Sequence, residues 1–367
     1  MRFINILLII LLFFYSLSCS QKEHKTLIKG NIPNLPDGTL YLYKDESGSR
    51  IDSTDTKNGV FQLVHQWRGN IEPVYLGLDH IDHKGVLRAF SFPTNARYKG
   101  AGWESQYFFS DSVIAINGKL KDFVTKDLEL SEKYKLVTSP VITAGRQTEA
   151  LYHTDRDLFD DITPEKINSI KEKIQQYPYS YHLLYQLERN KNNFSVYHVE
   201  ALLNLFKGDI TQSSTYKKLF AYNEKRSDQK HLALPLLEDV NGMKAKILDS
   251  GYKKHLVIFW AGWCGPCREE IPLLKKEHDK KNPLVEFVSI SIDTDKTLWK
   301  KAIQEEQMTW KQLIVSNGTP AYEDLQIHFK FNNAIPYTVL VDNNLKILAF
   351  SVGLSSEKDL NKLIETD

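Results

Sequence analysis

The rhythm of hydrophobic and polar positions changes three times along this chain. Residues 3–15 are apolar apart from Asn5. From Thr26 to about residue 125, short β-forming runs alternate with turn signals. TLIKG and TLYLY flank NIPNLPDG, whose Pro-Asp-Gly is a turn signature. RIDSTDT and VFQLVH flank KNG, where Asn58-Gly59 predicts a tight hairpin turn. VYLGL, QYFFS and SVIAING read as further strands. No helical period interrupts them, which predicts an all-β, sandwich-like antiparallel domain over 26–125.

Helical signals replace this pattern over 126–228. In DITPEKINSIKEKIQQYP, Thr163 stands as N-cap, Pro164 opens the helix and Glu165 lies in its first turn. Ile167, Ile170 and Ile174 then share one face. SYHLLYQLERN and VEALLNLFKGD continue the pattern, and the tyrosines of YPYSYHLLY are expected in the core rather than along a peptide groove. Over 229–367 strands and helices alternate. HLVIFWA is a continuous apolar run, as in a strand buried on both faces. A helix follows, then LVEFVSISID, a helix from about Thr297 to Gln307, and WKQLIVS. A helix around AYEDLQIHF, the strands YTVLVD and KILAFSVG and a last helix near Ser355 complete an α/β domain.

Composition adds exclusions. The 367 residues allow two or three domains, and 47 Lys plus Arg against 46 Asp plus Glu leave a net charge of +1. No basic run forms a phosphate-binding stripe, so nucleic acid is not an expected partner. The 11 histidines are scattered and match no zinc spacing, so no metal is expected. No cofactor is expected either. Three cysteines cannot staple 367 residues, so the domains must rest on ordinary cores.

The first cysteine, Cys19, ends the N-terminal segment. Arg2, the apolar run and a stretch of small residues follow the order of an export signal. A cysteine directly after them resembles the bacterial lipoprotein signal, which is cut before a cysteine that then carries lipid. That resemblance implies a signal over 1–18, lipid on Cys19 and a polar tether over 19–25. The usual leucine three residues before the cysteine is replaced by Ser16, with Leu17 next. An uncleaved anchor stays open, because residues 3–21 carry no charge and approach the ~20 residues that span a bilayer. Either way the chain after residue 20 lies outside the cytoplasm.

The other cysteines stand in FWAGWCGPCREEIP. Cys264 follows a buried strand and should begin a helix, facing unpaired backbone N–H groups and the positive end of the helix dipole. Both favour the ionised sulfur. Cys267, at i+3, can close a small ring with it and should be the more buried, resolving thiol. Pro266 loses no hydrogen bond at a helix start. Trp263 should cover the site and supply a flat apolar contact. Half a zinc site or two inert buried thiols are the alternatives; a zinc site would need two more ligands, and no other cysteine exists in this domain.

VIFWAGWCGPCREEIP resembles the thioredoxin superfamily, in particular its exported TlpA/ResA-like thiol–disulfide oxidoreductases, over residues 235–367. LEDVNGMKAKI is similar to that branch's entry hairpin, Pro272 to the proline that kinks the active-site helix, and 293–315 to its helix–strand insert. NNAIPYTVLVDNN resembles the cis-proline segment, which implies a cis Pro336 with Ile335 before it, facing the dithiol and offering backbone groups to a bound peptide. The buried aspartate of cytosolic thioredoxins is replaced by Ile258. A glutamate three residues after the second cysteine is associated with the redox site of the branch. The resemblance thus implies Glu270 as proton acceptor for Cys267; otherwise it is a surface residue pairing with Arg268 or Lys275. Residues 26–125 resemble a β-domain of unknown function found before exported thioredoxin-like domains.

The function implied is a membrane-tethered, periplasm-facing oxidoreductase that reduces disulfides of envelope clients. Apocytochromes awaiting haem are one example, and a membrane electron donor of the DsbD/CcdA type would recharge the enzyme. The Gly-Pro dipeptide resembles thioredoxin, at ~−270 mV, rather than DsbA, at ~−120 mV. Two other readings stand beside it. One is a thiol peroxidase, for which no Pro-x-x-x-Thr-x-x-Cys pattern is present. The other is an envelope ligand- or protein-binding lipoprotein with an accessory thioredoxin domain.

Overall fold

The computed structural model describes residues 24–44, 48–69, 71–98, 102–123, 131–228 and 232–366. Cys19 and the expected signal lie outside them. The chain divides into two compact units, Met1–Asp157 and Leu158–Asp367.

The first unit opens with β1 (Lys25–Asn31), β2 (Gly38–Lys44), β3 (Ser49–Thr56), β4 (Val60–Gln66), β5 (Tyr75–Asp82) and β6 (Leu87–Tyr98). It continues with β7 (Gly102–Ser105), β8 (Phe108–Phe109), β9 (Val113–Asn117), β10 (Lys121–Asp122), β11 (Tyr134–Thr138), β12 (Ile142–Thr143) and helix α1 (Arg146–Tyr152). One sheet runs β12-β9-β1-β4. The other runs β10-β11-β6-β5-β2-β3, with β7 on β6 and β8 on β5. Strand alternation fills a shared core between them: Ile28, Leu63 and Ile116 come from the first sheet, Leu42, Leu78 and Phe92 from the second.

Three features depart from the expectation. β1 pairs with β9, and β6 with β11, in parallel, so the sheets are mixed rather than antiparallel. Each pair is joined by a long connection, which is what parallel pairing requires. Asn58 (φ 52°) and Gly59 (φ 74°) do form the tight turn, bridged by Lys57 and Val60. Yet β3 pairs with β2 and β4 with β1, so the turn passes the chain from one sheet to the other. Burial is the reason: β4 buries Phe61 and Leu63 beside Ile28. Finally, 134–143 carry β11 and β12, although that stretch was expected in the helical segment; YKLVT pairs along β6.

The second unit begins with α2 (Pro164–Gln176), α3 (Tyr181–Arg189), α4 (Val196–Leu203) and α5 (Ser214–Ser227). Thr163, Ser180, Ser195 and Ser213 cap them, each side chain accepting from the backbone N–H three residues on. Ile170 and Ile174 are fully buried, as their spacing predicts.

Then come β13 (Leu237–Asp239), β14 (Lys244–Ala245), β15 (Lys254–Trp260), α6 (Gly265–His278), β16 (Val285–Ser291) and α7 (Lys296–Glu306). β17 (Lys311–Ile314), α8 (Pro320–Phe329), β18 (Tyr337–Asp342), β19 (Ile347–Val352) and α9 (Glu357–Ile364) follow. The sheet order is β14-β13-β17-β16-β15-β18-β19, with β15, β16 and β17 parallel and β18 and β19 antiparallel. β15 feeds both faces. Leu256, Ile258 and Trp260 join the core under α6, α7 and α9. Val257 and Phe259 join the core under α8. The helical segment docks on this α8 side: Asn192 donates to the carbonyls of Gln326 (3.3 Å) and Phe331 (3.1 Å), and Tyr222 donates to Asn192 (2.8 Å).

Candidate redox site

Central strand β15 ends at Trp260, and the chain turns through Ala261–Trp263 into α6. Cys264 is the N-cap of that helix, and its Sγ accepts a hydrogen bond from the backbone N–H of Cys267 at 3.2 Å. A sulfur in this place takes the role a serine oxygen takes at other caps, and it faces the positive end of a 14-residue helix. Cys264 and Cys267 are joined as a disulfide with Cα atoms 5.3 Å apart. Both are buried, at 5% and 2% exposure, and both belong to the core that holds Trp260, Ala261 and Ile271. Pro266 lies in the first turn and Pro272 inside the helix.

Trp263, the residue before Cys264, is 69% exposed, so its ring offers an open apolar face. The turn that carries it is anchored by Asp293, which is buried and accepts from the N–H of Gly262 at 2.8 Å and from Ser291 Oγ at 2.7 Å. α7 lies against the same turn, since a Cβ on Gly262 would come within 3.1 Å of Ala302 Cβ. The contact with Ser291 is local, but nothing near Asp293 in the sequence marks its bond to Gly262, which lies 31 residues away.

The Ile335–Pro336 peptide is cis. Ile335 packs against the core cluster that contains both cysteines, and the carbonyl of Pro336 accepts from Gly353 N at 3.0 Å.

Glu270 is not the surface residue of the alternative reading. It is 8% exposed on the core-facing side of α6, with Cys267, Ile271 and Leu274. Arg268 instead pairs with Glu305 and Glu306, and Lys275 donates to the carbonyl of Glu306. Glu270 Oε1 accepts from Leu354 N at 2.5 Å, while Oε2 is buried without a partner among the described residues. Burial pushes its pKa above the ordinary carboxyl value, and the Leu354 hydrogen bond only partly opposes this. The holding group, a backbone N–H just past β19, leaves no trace in the sequence near Glu270.

Among the described residues no cluster of His, Cys, Asp and Glu could hold a metal ion. The arrangement is one of electron-pair and proton chemistry: a buried disulfide at a helix start, an apolar face beside it and a carboxyl one helical turn on.

Comparison with known proteins agrees with this chemistry. Residues 251–347 match a family model described as thioredoxin-like. A thioredoxin-like protein of Bacillus subtilis, YneN, is 27% identical over 36% of this chain and 75% of its own length. The thiol-disulfide oxidoreductase ResA of Bacillus cereus is 22% identical over 41% of this chain and 84% of its own. Among solved structures, the thioredoxin domain of a thiol-disulfide oxidoreductase from Bacteroides vulgatus is 28% identical, covering 36% of this chain and 96% of that one, with a TM-score of 0.30. The matched stretch is the one that carries the disulfide and the proline loop, so the C-terminal domain is thioredoxin-like and similar to the TlpA/ResA-like thiol–disulfide oxidoreductases.

Proposed function

We propose that the chain is an envelope-tethered reductase of disulfides in client proteins. In the dithiol form, the Cys264 thiolate attacks one sulfur of a client disulfide, and the client's other sulfur leaves as a thiolate. Cys267, deprotonated by Glu270, then attacks Cys264 Sγ. The second client thiolate leaves and the Cys264–Cys267 disulfide closes. Two electrons pass to the client, and its thiolates take up two protons. Trp263 and the Ile335–Pro336 loop contact the client chain. A membrane dithiol donor of the DsbD/CcdA type returns two electrons, and lipid on Cys19 holds the protein at the periplasmic side of the membrane.

The observation that carries this reading is the N–H of Cys267 on Cys264 Sγ, at 3.2 Å, at the start of α6. It favours negative charge on Cys264, which makes that sulfur both the attacking group and the better leaving group. The deciding experiment is trapping. Cys267→Ser is expected to accumulate mixed disulfides with clients in intact cells, identified by mass spectrometry, and Cys264→Ser is expected to give none. Equal labelling by both variants, or by neither, would remove the assignment of roles.

A further inference from the structure

The outer face of the larger sheet in the N-terminal unit carries a groove of 780 Å³. Strand alternation builds it. Phe90 and Phe92 of β6 are buried in the core, so Ala89 and Ser91 face outward. Leu76 and Leu78 of β5 are buried likewise, which turns Gly77 and Asp79 outward. Ala89, Ser91 and Asp79 line the groove, and Tyr43 covers Gly77, where an added Cβ would fall 2.1 Å from the ring. Tyr43, Phe123, Tyr134 and Leu136 form apolar walls. Phe123 and Tyr134 remain 42% and 37% exposed. The volume falls within the ~300–1,000 Å³ of small-molecule sites.

The charge of the groove is set by Glu104 on β7. Its Oε1 accepts from Thr138 Oγ1 at 2.8 Å, and its Oε2 accepts from Ser91 Oγ. Among the described residues no cation pairs with it. Two hydroxyls fix the carboxylate in place without neutralising it, and a carboxylate has about four acceptor sites. Asp79 is different, because Arg50 lies 3.8 Å from it. Arg50 also stacks over Tyr41 at 4.0 Å, so this same face already holds one guanidinium between a tyrosine ring and a carboxylate. Arg156 also lines the groove and is exposed to solvent.

We propose that this groove binds an organic cation, an amine or guanidinium on an apolar body, with Glu104 as counter-ion and Tyr43, Phe123 and Tyr134 as its aromatic walls. The cation can be a free small molecule or a Lys or Arg side chain of a polypeptide. The proposal does not depend on the redox reading of the C-terminal unit.

The test is calorimetric titration of the full chain with four probes: phenethylamine, phenylacetate, 2-phenylethanol and the tripeptide Ala-Arg-Ala. Phenethylamine, the tripeptide or both are expected to bind at millimolar or lower concentration, and phenylacetate and 2-phenylethanol at least about tenfold more weakly. Preference for the free amine or for the tripeptide identifies the source of the cation. Glu104→Gln is expected to weaken binding by about tenfold or more, since Gln keeps one acceptor and loses the charge. Tyr134→Leu is expected to weaken it by about threefold or more. Both variants should melt as the parent does and reduce insulin at its rate. Should Glu104→Gln fail to fold, Tyr134→Leu decides alone. No binding of either cation, equal binding of phenylacetate, or parental affinity in the folded variants overturns the proposal.

Discussion

At the residue scale, Glu270 ties protonation to stability. Its pKa is raised by burial, so ionising it costs the folded state more than the unfolded one. The stability linked to the neutral carboxyl is fully present below the unfolded value of 4.5 and is lost as pH rises through the folded value. Glu270→Gln should therefore melt higher than the parent at pH 8, by roughly 1 kcal/mol or a few degrees, and equally at pH 4. In the same variant the resolving step should slow by roughly 10²-fold, with its pH dependence flattened. Thermal melts at the two pH values and a stopped-flow pH–rate profile measure these effects. A profile that overlays the parent's would remove Glu270 from the mechanism. The cysteines, Trp263 and Pro336 could be named from the sequence because their signals are local and the family resemblance fixed their places. Leu354 and Asp293 could not, because the Leu354 N–H meets Glu270 and the Asp293 carboxylate meets Gly262 only after the sheet has formed.

At the element scale, two features make claims on stability. Gly59 closes the turn between β3 and β4 with φ 74°, and a Cβ there would lie 2.0 Å from the carbonyl oxygen of Ile32. Gly59→Ala should cost more than the ~1–2 kcal/mol of a left-handed residue, read from urea unfolding of the full chain. A loss under 0.5 kcal/mol, the scale of an ordinary surface change, would contradict the geometry. At the N-terminal ends of β15 and β16, Glu286 accepts from His255 Nδ1 (2.7 Å), Asp249 N (2.8 Å) and Lys311. Burial alone would raise its pKa, but the hydrogen bonds from His255, Lys311 and Asp249 together with the charge of Lys311 outweigh burial and lower it. Its stability contribution is thus present above pH 4.5 and lost as pH falls through the folded value. Glu286→Ala removes the partner of His255 Nδ1 and the counter-ion of Lys311, leaving them Asn343 and the Ile247 carbonyl, and should cost about 3 kcal/mol at pH 7, with a smaller difference in acid. Chemical denaturation at both pH values checks the size and the sign.

At the scale of the whole molecule, the helices α2–α5 belong to the same compact unit as the redox fold. Asn192 satisfies two carbonyls at α8 and beyond it, and Lys225 pairs with Asp324. A fragment beginning at Leu158 should fold and reduce insulin at close to the parental rate. One beginning at residue 232 should melt several degrees lower or aggregate, because the α8 side loses its cover. Identical melting of the two fragments would show that the helices add nothing to the fold.

The sequence by itself determined most of the elements, though not β11 and β12, and it marked the cysteine pair. Apolar period, Ser/Thr caps and the strand–Cys-Gly-Pro-Cys–helix order are all written within a few residues of where they act. Only the tertiary structure decided which strands become neighbours, that the Asn58-Gly59 turn passes between sheets, that Glu270 is buried, and that Glu104 lies in an aromatic groove. These depend on contacts between residues far apart in the chain, and no local pattern encodes which distant partner a side chain will meet.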